Sequence, residues 1–301
     1  MIIISDLHIK NSEAHLYGIR EFFKWLIENY KNEVVVQLGD TWDSSSPHAD
    51  LETEFIGYFK QFKEWHTIQG NHDTSFRLGS AIKHLQHHNN IFVYTEKTEV
   101  MIDNHLCLML PWKFNCKEEY EKIEWRGTFC FAHVTNKEDA FANEFVDLSK
   151  IHSFKIYGHT HTQRYLQDGL VVGVPLPTRN LETVGSILQT VPNSDRLTFI
   201  KVPSFFEYET LEYGKFPENK HNILNIINAP SKQSVFDTYK GYHIRNEGIS
   251  VLRTENDSEN VMQSFEAGNI KDKFNIYSKE NNIPKEIVDC GNKYLGAIIQ
   301  R

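Results

Sequence analysis

The residues able to do chemistry fall in five short stretches, each at the end of an apolar run: Asp6-Leu7-His8, Gly39-Asp40, Gly70-Asn71-His72-Asp73, Ala132-His133 and Gly158-His159-Thr160-His161. They supply carboxylates, imidazoles and one amide oxygen, and no thiolate. That donor set suits manganese, iron or zinc better than calcium. One aspartate can bridge two cations with its two oxygens. Two cations roughly 3.5–4 Å apart clamp a phosphoester and activate a water near neutral pH. The two-residue spacings Asp6/His8 and His159/His161 predict extended chain, which points both side chains of a pair to one side; in a helix they would diverge. A lone histidine or a lone Gly-Asp turn carries little weight. The weight lies in the repetition of such groups at the same kind of position.

The elements that must position these groups follow from periodicity. Ile2–Ile4 reads as a first strand. Ser12 is a plausible N-cap, and Ile19, Phe22, Phe23, Leu26 and Ile27 recur at helical spacing after it. Val34–Leu38 is nearly continuous and apolar, as in a strand buried on both faces. A second amphipathic helix carries Leu51, Phe55, Phe59 and Phe62, and a third strand, His66–Ile68, leads into the Asn71-His72 stretch. Strand, helix, strand, helix, strand predicts a right-handed parallel α/β start with its ligands at the strand exits. Beyond residue 91 the runs Ile91–Tyr94, Glu99–Ile102 and Leu106–Leu110 have tight connections and predict a meander or hairpins. Thr128–Ala132 and Phe154–Tyr157 deliver the later histidines. Gly169–Val174 and Arg196–Val202 read as further strands, separated by Pro175-Leu176-Pro177 and a polar loop.

A boundary near residue 205 separates a first domain, 1–205, from a second segment, 206–301. That segment is rich in Asn, Lys and Glu and predicts a small α/β appendage plus terminal helices. Ile283, Ile287, Leu295 and Ile298 share one helical face after Pro284.

Composition narrows the class. Forty per cent hydrophobic residues and 13% aromatics provide an ample core. The opening apolar run is too short for a signal-peptide core, and no run approaches the ~20 residues of a membrane span. Cys107, Cys116, Cys130 and Cys290 are scattered, without metal or disulfide spacing. A soluble protein in a reducing cytoplasm, with no membrane partner, is expected. A net charge of −8 argues against a broad basic groove that holds nucleic acid by charge alone.

The order D-x-H, G-D, G-N-H-D, H, G-H-x-H resembles the calcineurin-like metallophosphoesterase superfamily. Within it the chain most resembles the SbcD (Mre-eleven) DNA repair nucleases, including their phage recombination-nuclease members. Four stretches carry the finer likeness: Ile4-Ser5-Asp6-Leu7-His8, Gly39-Asp40-Thr41-Trp42-Asp43, Leu110-Pro111-Trp112, and Gly158-His159-Thr160-His161 followed by Val172-Gly173-Val174-Pro175. The resemblance implies a sandwich of mixed sheets flanked by helices, with a small C-terminal α/β capping appendage. It implies that Asp6, His8, Asp40 and His161 hold one metal, and that Asp40, Asn71, His133 and His159 hold the other. Two divalent ions, most often manganese, are implied. His72 would face the scissile phosphate and protonate the leaving oxygen; Asp73 would orient His72 or cap a helix. The implied activities are 3′-to-5′ double-strand exonuclease and single-strand endonuclease. The implied partners are DNA, a second copy of the chain, and an SbcC-type coiled-coil ATPase that docks on the terminal helices.

The sequence departs from the family in places. Asp43 stands where some members carry a catalytic histidine. It reads as a hydrogen-bonded support for a ligand histidine, or equally as a turn cap. Ile9-Lys10 replaces a common Leu-Gly. His84, His87 and His88 read as a solvated face; His15 and His48 near the motif loops could touch phosphate and Arg77 and Lys113 a nucleic-acid backbone, but ordinary surface residues are the favoured reading of each. The same ligands would serve a phosphodiesterase or phosphatase for small phosphoesters or phosphoproteins, which has no need of the appendage. A non-catalytic scaffold has no need of a complete ligand set.

Overall fold

The computed structural model describes residues 1–77, 79–138, 145–177, 185–191, 194, 196–245 and 248–251. β1 (Ile2–Ile4), α1 (Glu13–Tyr30), β2 (Val34–Gln37), α2 (Ala49–Phe59) and β3 (Glu64–Ile68) alternate as the sequence predicts. The three strands pair in parallel, Ile3 opposite Val36 and Val36 opposite His66. Both faces of this sheet are covered, so Ile2–Ile4 and Val34–Val36 are buried at every position. On one face, Ile19, Phe22, Phe23 and Leu26 of α1 and Phe55 and Phe59 of α2 pack with Ile2, Ile4, Val35 and Trp65. Ser12 does occupy the N-cap of α1, but its side chain makes no capping hydrogen bond.

The two-residue strands β4 (Thr74–Ser75) and β5 (Gly79–Ser80) pair as a hairpin just past the third strand exit. There follow β6 (Ile91–Tyr94), β7 (Thr98–Ile102), β8 (His105–Leu110), α3 (Cys116–Tyr120), β9 (Trp125–Ala132) and β10 (Ile151–Tyr157). The body closes with β11 (Arg164–Leu166), β12 (Gly169–Val171), β13 (Ser186–Thr190) and β14 (Leu197–Lys201). Two six-stranded mixed sheets result, ordered β14-β13-β1-β2-β3-β6 and β11-β12-β10-β9-β8-β7. Alternate residues of the two sheets meet in one core, Ile3, Val36 and Leu38 from the first with Met109, Phe131 and Ile156 from the second. The remaining set, Leu108, Cys130 and Tyr157, packs with Cys116 and Tyr120 of α3. This is the predicted sandwich.

Two expectations are corrected. The run 91–110 is not one meander: β6 joins the first sheet parallel to β3, and only β7 and β8 form an antiparallel hairpin, in the second sheet. A short connection reads alike whether the chain turns back or crosses between layers. Ser186–Thr190 is no polar loop: β13 lies antiparallel to β1, between it and β14. Its Ser186 and Thr190 are buried beside Ile187 and Leu188, so polarity there does not report exposure.

β1, β2 and β3 run parallel, as do β8, β9 and β10, so each sheet delivers its exits to one edge. The edges meet at Gly158. A Cβ there would lie 2.3 Å from the Leu38 carbonyl oxygen and 2.5 Å from Ser5 Oγ. Past the sandwich, β15 (Tyr208–Glu212), β16 (Ile223–Ile227), α4 (Lys232–Thr238) and β17 (His243–Ile244) form a parallel three-stranded unit. Leu224, Ile226, Val235 and Tyr239 give it a core of its own. The helix expected around Ile283–Ile298, and Cys290, lie outside the described residues. Among the described residues no helix is long and apolar enough to cross a membrane.

Candidate metal centre

The strand exits are not extended. Asp6, His8, Asp40 and His159 have φ of 50°, 44°, 52° and 73°, in the left-handed region. Asp and His tolerate this region better than most side chains, and such backbone gathers at functional sites. The reading of Asp6/His8 and His159/His161 as extended pairs is therefore corrected: tight loops, not strand alternation, bring the side chains together. The loops hold each other through main-chain bonds. Asp6 N–H donates to Gly39 O (3.2 Å), His8 N–H to Asp40 O (3.0 Å) and Gly158 N–H to Ala132 O (2.9 Å).

The side chains converge as two overlapping groups, Asp6/His8/His161 and Asp40/His133/His159. In the first, His8 Nε2 and His161 Nε2 are 3.1 Å apart. In the second, Asn71 Oδ1 lies 3.0 Å from His133 Nε2 and 2.9 Å from His159 Nδ1. Asp40 stands between them, its Oδ2 3.7 Å from His8 Nε2 and 3.5 Å from His133 Nε2. Its other oxygen accepts the His72 main-chain N–H at 2.8 Å. His133 Nδ1–H donates to Leu38 O at 2.6 Å, which fixes the ring and turns Nε2 inward.

Charge and burial give the site its sign. Burial raises the Asp6 carboxyl to about 6, against the pull of His133. Burial presses upward on Asp40 too, but the charge and hydrogen bond of His133, then His8, outweigh it and hold the carboxyl below the usual range. Burial opposes a charge on His133, yet Asp40 and Asp6 carry it up to about 9. Burial lowers His8 to about 3, and burial with the nearby His133 charge lowers His159 to about 4. His8 and His159 are thus kept neutral, the form that ligates metals. The two aspartates create a negative potential that draws a proton to His133 and would draw a divalent cation more strongly. Asp6 Oδ2 accepts from Ser5 Oγ–H and from the His159 N–H, whereas the fully buried Asp6 Oδ1 has no hydrogen-bond partner. A buried, unsatisfied carboxylate oxygen beside two imidazoles fits a divalent metal ligand.

The structure reassigns the two supporting aspartates. The Asp73 carboxylate is taken up by main-chain N–H groups and not by the His72 ring or a helix cap. Buried, it accepts the main-chain N–H groups of Thr41 (3.2 Å), Trp42 (2.9 Å) and Gly70 (2.9 Å), and so ties the second exit to the third. His72 is oriented instead by Asp43, through the main chain: His72 Nδ1 lies 2.9 Å from the Asp43 carbonyl oxygen. The Asp43 side chain faces His8, Oδ1 to Nδ1 at 3.6 Å, and Asp43, His8 and His72 form a third group of potential ligands. The hydrogen bond expected from Asp43 to a ligand histidine is not formed, since the pair stands beyond hydrogen-bond range.

Gln37 escaped the sequence reading. Buried at the end of β2, its Oε1 accepts from Thr67 Oγ1–H (2.5 Å) and Thr41 Oγ1–H (3.1 Å), and its Nε2–H donates to Gly39 O (2.5 Å). A glutamine ending an apolar run was the available signal. Of the side residues, His84 and His87 are exposed as expected, His48 accepts the Asp50 N–H at the start of α2, and Lys113 is paired with Glu96 and Glu119. His15 departs from the reading, being buried against the Phe206 ring with centroids 5.5 Å apart.

The sequence profile of the calcineurin-like phosphoesterases matches residues 1–163, over half of the chain and every one of the gathered exits. The chain belongs to the calcineurin-like phosphoesterase family. Membership makes it a metal-dependent phosphoester hydrolase by class. No curated protein matches this phosphoesterase in sequence. Solved structures similar to it include an archaeal phosphodiesterase, 19% identical with a TM-score of 0.39, covering 66% of this chain and 98% of that one. Another is the phosphopantetheinyl hydrolase from Mycobacterium tuberculosis, 12% identical with a TM-score of 0.38, covering 58% and 89%.

Proposed function

We propose that this phosphoesterase is a two-metal DNA nuclease of SbcD type. The observation that carries the two-metal reading is Asp40, whose single Oδ2 faces both ligand groups. Asp6, His8, Asp40 and His161 would hold one ion, and Asp40, Asn71, His133 and His159 the other, with manganese as the metal. Bound there, the ions supply charge neutralisation at the phosphate and an activated water near neutral pH. The protein's part is positional. The Asp43 carbonyl accepts from His72 Nδ1–H and fixes the ring, so that His72 as the imidazolium would donate its Nε2 proton to the leaving oxygen and return to neutral imidazole. The His72 N–H holds Asp40 Oδ1, so acid and central carboxylate move as one unit.

DNA as substrate is supported by the SbcD-like contexts of Trp42-Asp43 and Leu110-Pro111-Trp112, and by the unit after residue 205. With residues 1–205 as the nuclease domain, 206–301 would form a capping and docking appendage. Its partners would be an SbcC-type ATPase and a second copy of the chain. Scattered thiols, with Cys107, Cys116 and Cys130 buried, favour a reducing cytoplasm. The test is incubation with manganese and end-labelled linear duplex and single-stranded DNA, alone and with an SbcC-type ATPase, with product ends identified. Metal-dependent cleavage is expected. Turnover of a nucleotide sugar or cyclic nucleotide beside inert DNA would replace this reading with a small-phosphoester hydrolase.

A further inference from the structure

Two exposed phenylalanine rings stand at the mouth of the metal centre outside any core, beside Trp112, a half-buried ring that packs against the core of the second sheet. Phe76 is 88% exposed and Phe114 64% exposed, the two most exposed phenylalanines among the described residues. They meet edge to face with centroids 5.5 Å apart, and Phe114 meets Trp112 in the same way at 4.7 Å. Exposed rings of this size are costly to leave in water unless something covers them.

Their anchoring is to the site itself. Phe76 sits in the β4–β5 hairpin, which begins directly after Asp73. The hairpin is fastened at both ends to the motif, Thr74 N–H to Asn71 O (3.3 Å) and Ala81 N–H to Asp73 O (2.8 Å). Trp112 is tied to the residue before Gly70: its N–H donates to Gln69 O (2.7 Å), and Gln69 Nε2–H donates to Trp112 O (3.2 Å). Trp112 and Phe114 line one cleft with the ligand-group residue His159. Phe76 and Phe114 line the next.

Lys113, between Trp112 and Phe114 in the chain, is engaged by Glu96 and Glu119. What the ledge offers is therefore flat π surface beside a site that takes a phosphate. We propose that Trp112, Phe114 and Phe76 form a stacking ledge for the unpaired bases of a nucleic-acid strand whose phosphodiester lies at the metal centre. The inference rests on the nuclease reading and names the part of the substrate that reading leaves open. A base inside a duplex is already stacked, whereas an unpaired base gains a partner on an aromatic side chain, irrespective of its identity. The ledge thus selects single strands and frayed ends over intact duplex.

The test uses the full chain with manganese and two labelled single strands, one normal and one abasic around the cleavage point. The Phe76→Ala/Phe114→Ala protein is expected to cut the normal strand ~10-fold or more slowly, as loss of base stacking predicts. The abasic strand should be cut equally by wild type and variant. Binding is read separately in a His72→Ala background, by anisotropy and by the emission of a 2-aminopurine beside the cleavage point. The ledge variants should weaken the first and abolish the quenching of the second. Phe114→Trp should keep both signals and Phe114→Leu should lose them. Equal cutting of the normal strand by wild type and the double variant, or full function in Phe114→Leu, overturns the ledge and leaves the nuclease reading standing. A wild-type protein that cuts neither strand overturns both.

Discussion

His72 Nδ1 sits 2.9 Å from the carbonyl oxygen of Asp43, so the ring is oriented by backbone and not by a neighbouring carboxylate. A main-chain carbonyl persists through any side-chain substitution at Asp43. Asp43→Ala should therefore keep His72 in place and cost activity only through the looser His8. His72→Ala should bind metal normally and lose about 10²–10⁴-fold in turnover, the usual contribution of a positioned acid. Steady-state rates and metal content of both variants check this. Equal losses in the two would show that the Asp43 carboxylate is the orienting group.

Asp73 and Gly70 hold the loops. Asp73→Ala leaves three buried N–H groups without an acceptor. Each unsatisfied donor costs about 1–3 kcal/mol, so a large drop in the urea midpoint is expected. In Gly70→Ala the new Cβ would lie 2.1 Å from both the main-chain nitrogen and Oδ1 of Asp40. Displacing Asp40 should cost ~10²-fold or more in cleavage. A Gly70→Ala protein with wild-type rates would mean that the Asp40 loop yields freely.

Metal removal should be felt as lost stability, because only the folded chain gathers the ligand set that would bind the ions. Dialysis against a chelator should lower the melting temperature, and manganese at ~100 times its dissociation constant should restore about 2.7 kcal/mol per independent site. Asp40→Ala should reduce uptake at both groups, and His159→Ala at one. Metal analysis of the two purified variants, with circular dichroism to verify folding, distinguishes a shared from a private ligand.

His66 provides a pH test away from the ligands. Burial lowers it below its ordinary 6.5, although Glu64 pulls the other way. Tyr94 OH at 2.8 Å and Glu64 at 3.1 Å hold the ring. Above 6.5 the ring is neutral in both folded and unfolded chains. Below it the unfolded chain takes up a proton that the folded chain resists, so this contribution to stability falls with pH and levels off once the folded ring also titrates. Urea midpoints of chelated protein between about pH 7.5 and 5.5 should fall more steeply for wild type than for His66→Gln. Parallel curves would refute this.

The parallel start was legible in the continuous apolar runs Ile2–Ile4 and Val34–Val36, and the groups of the centre in the repetition of carboxylates and imidazoles at the ends of such runs. Tertiary structure alone decided how those groups meet. The left-handed turns at Asp6, His8, Asp40 and His159 are stabilised by bonds between loops far apart in the chain, which no local pattern encodes. The same holds for β13, recruited beside β1 from the far end of the body, and for the partners that Asp73 and Asp43 find. A side chain's type states what it can donate or accept. Its partner is chosen by which strand exits share an edge, and that is a property of the assembled sheets.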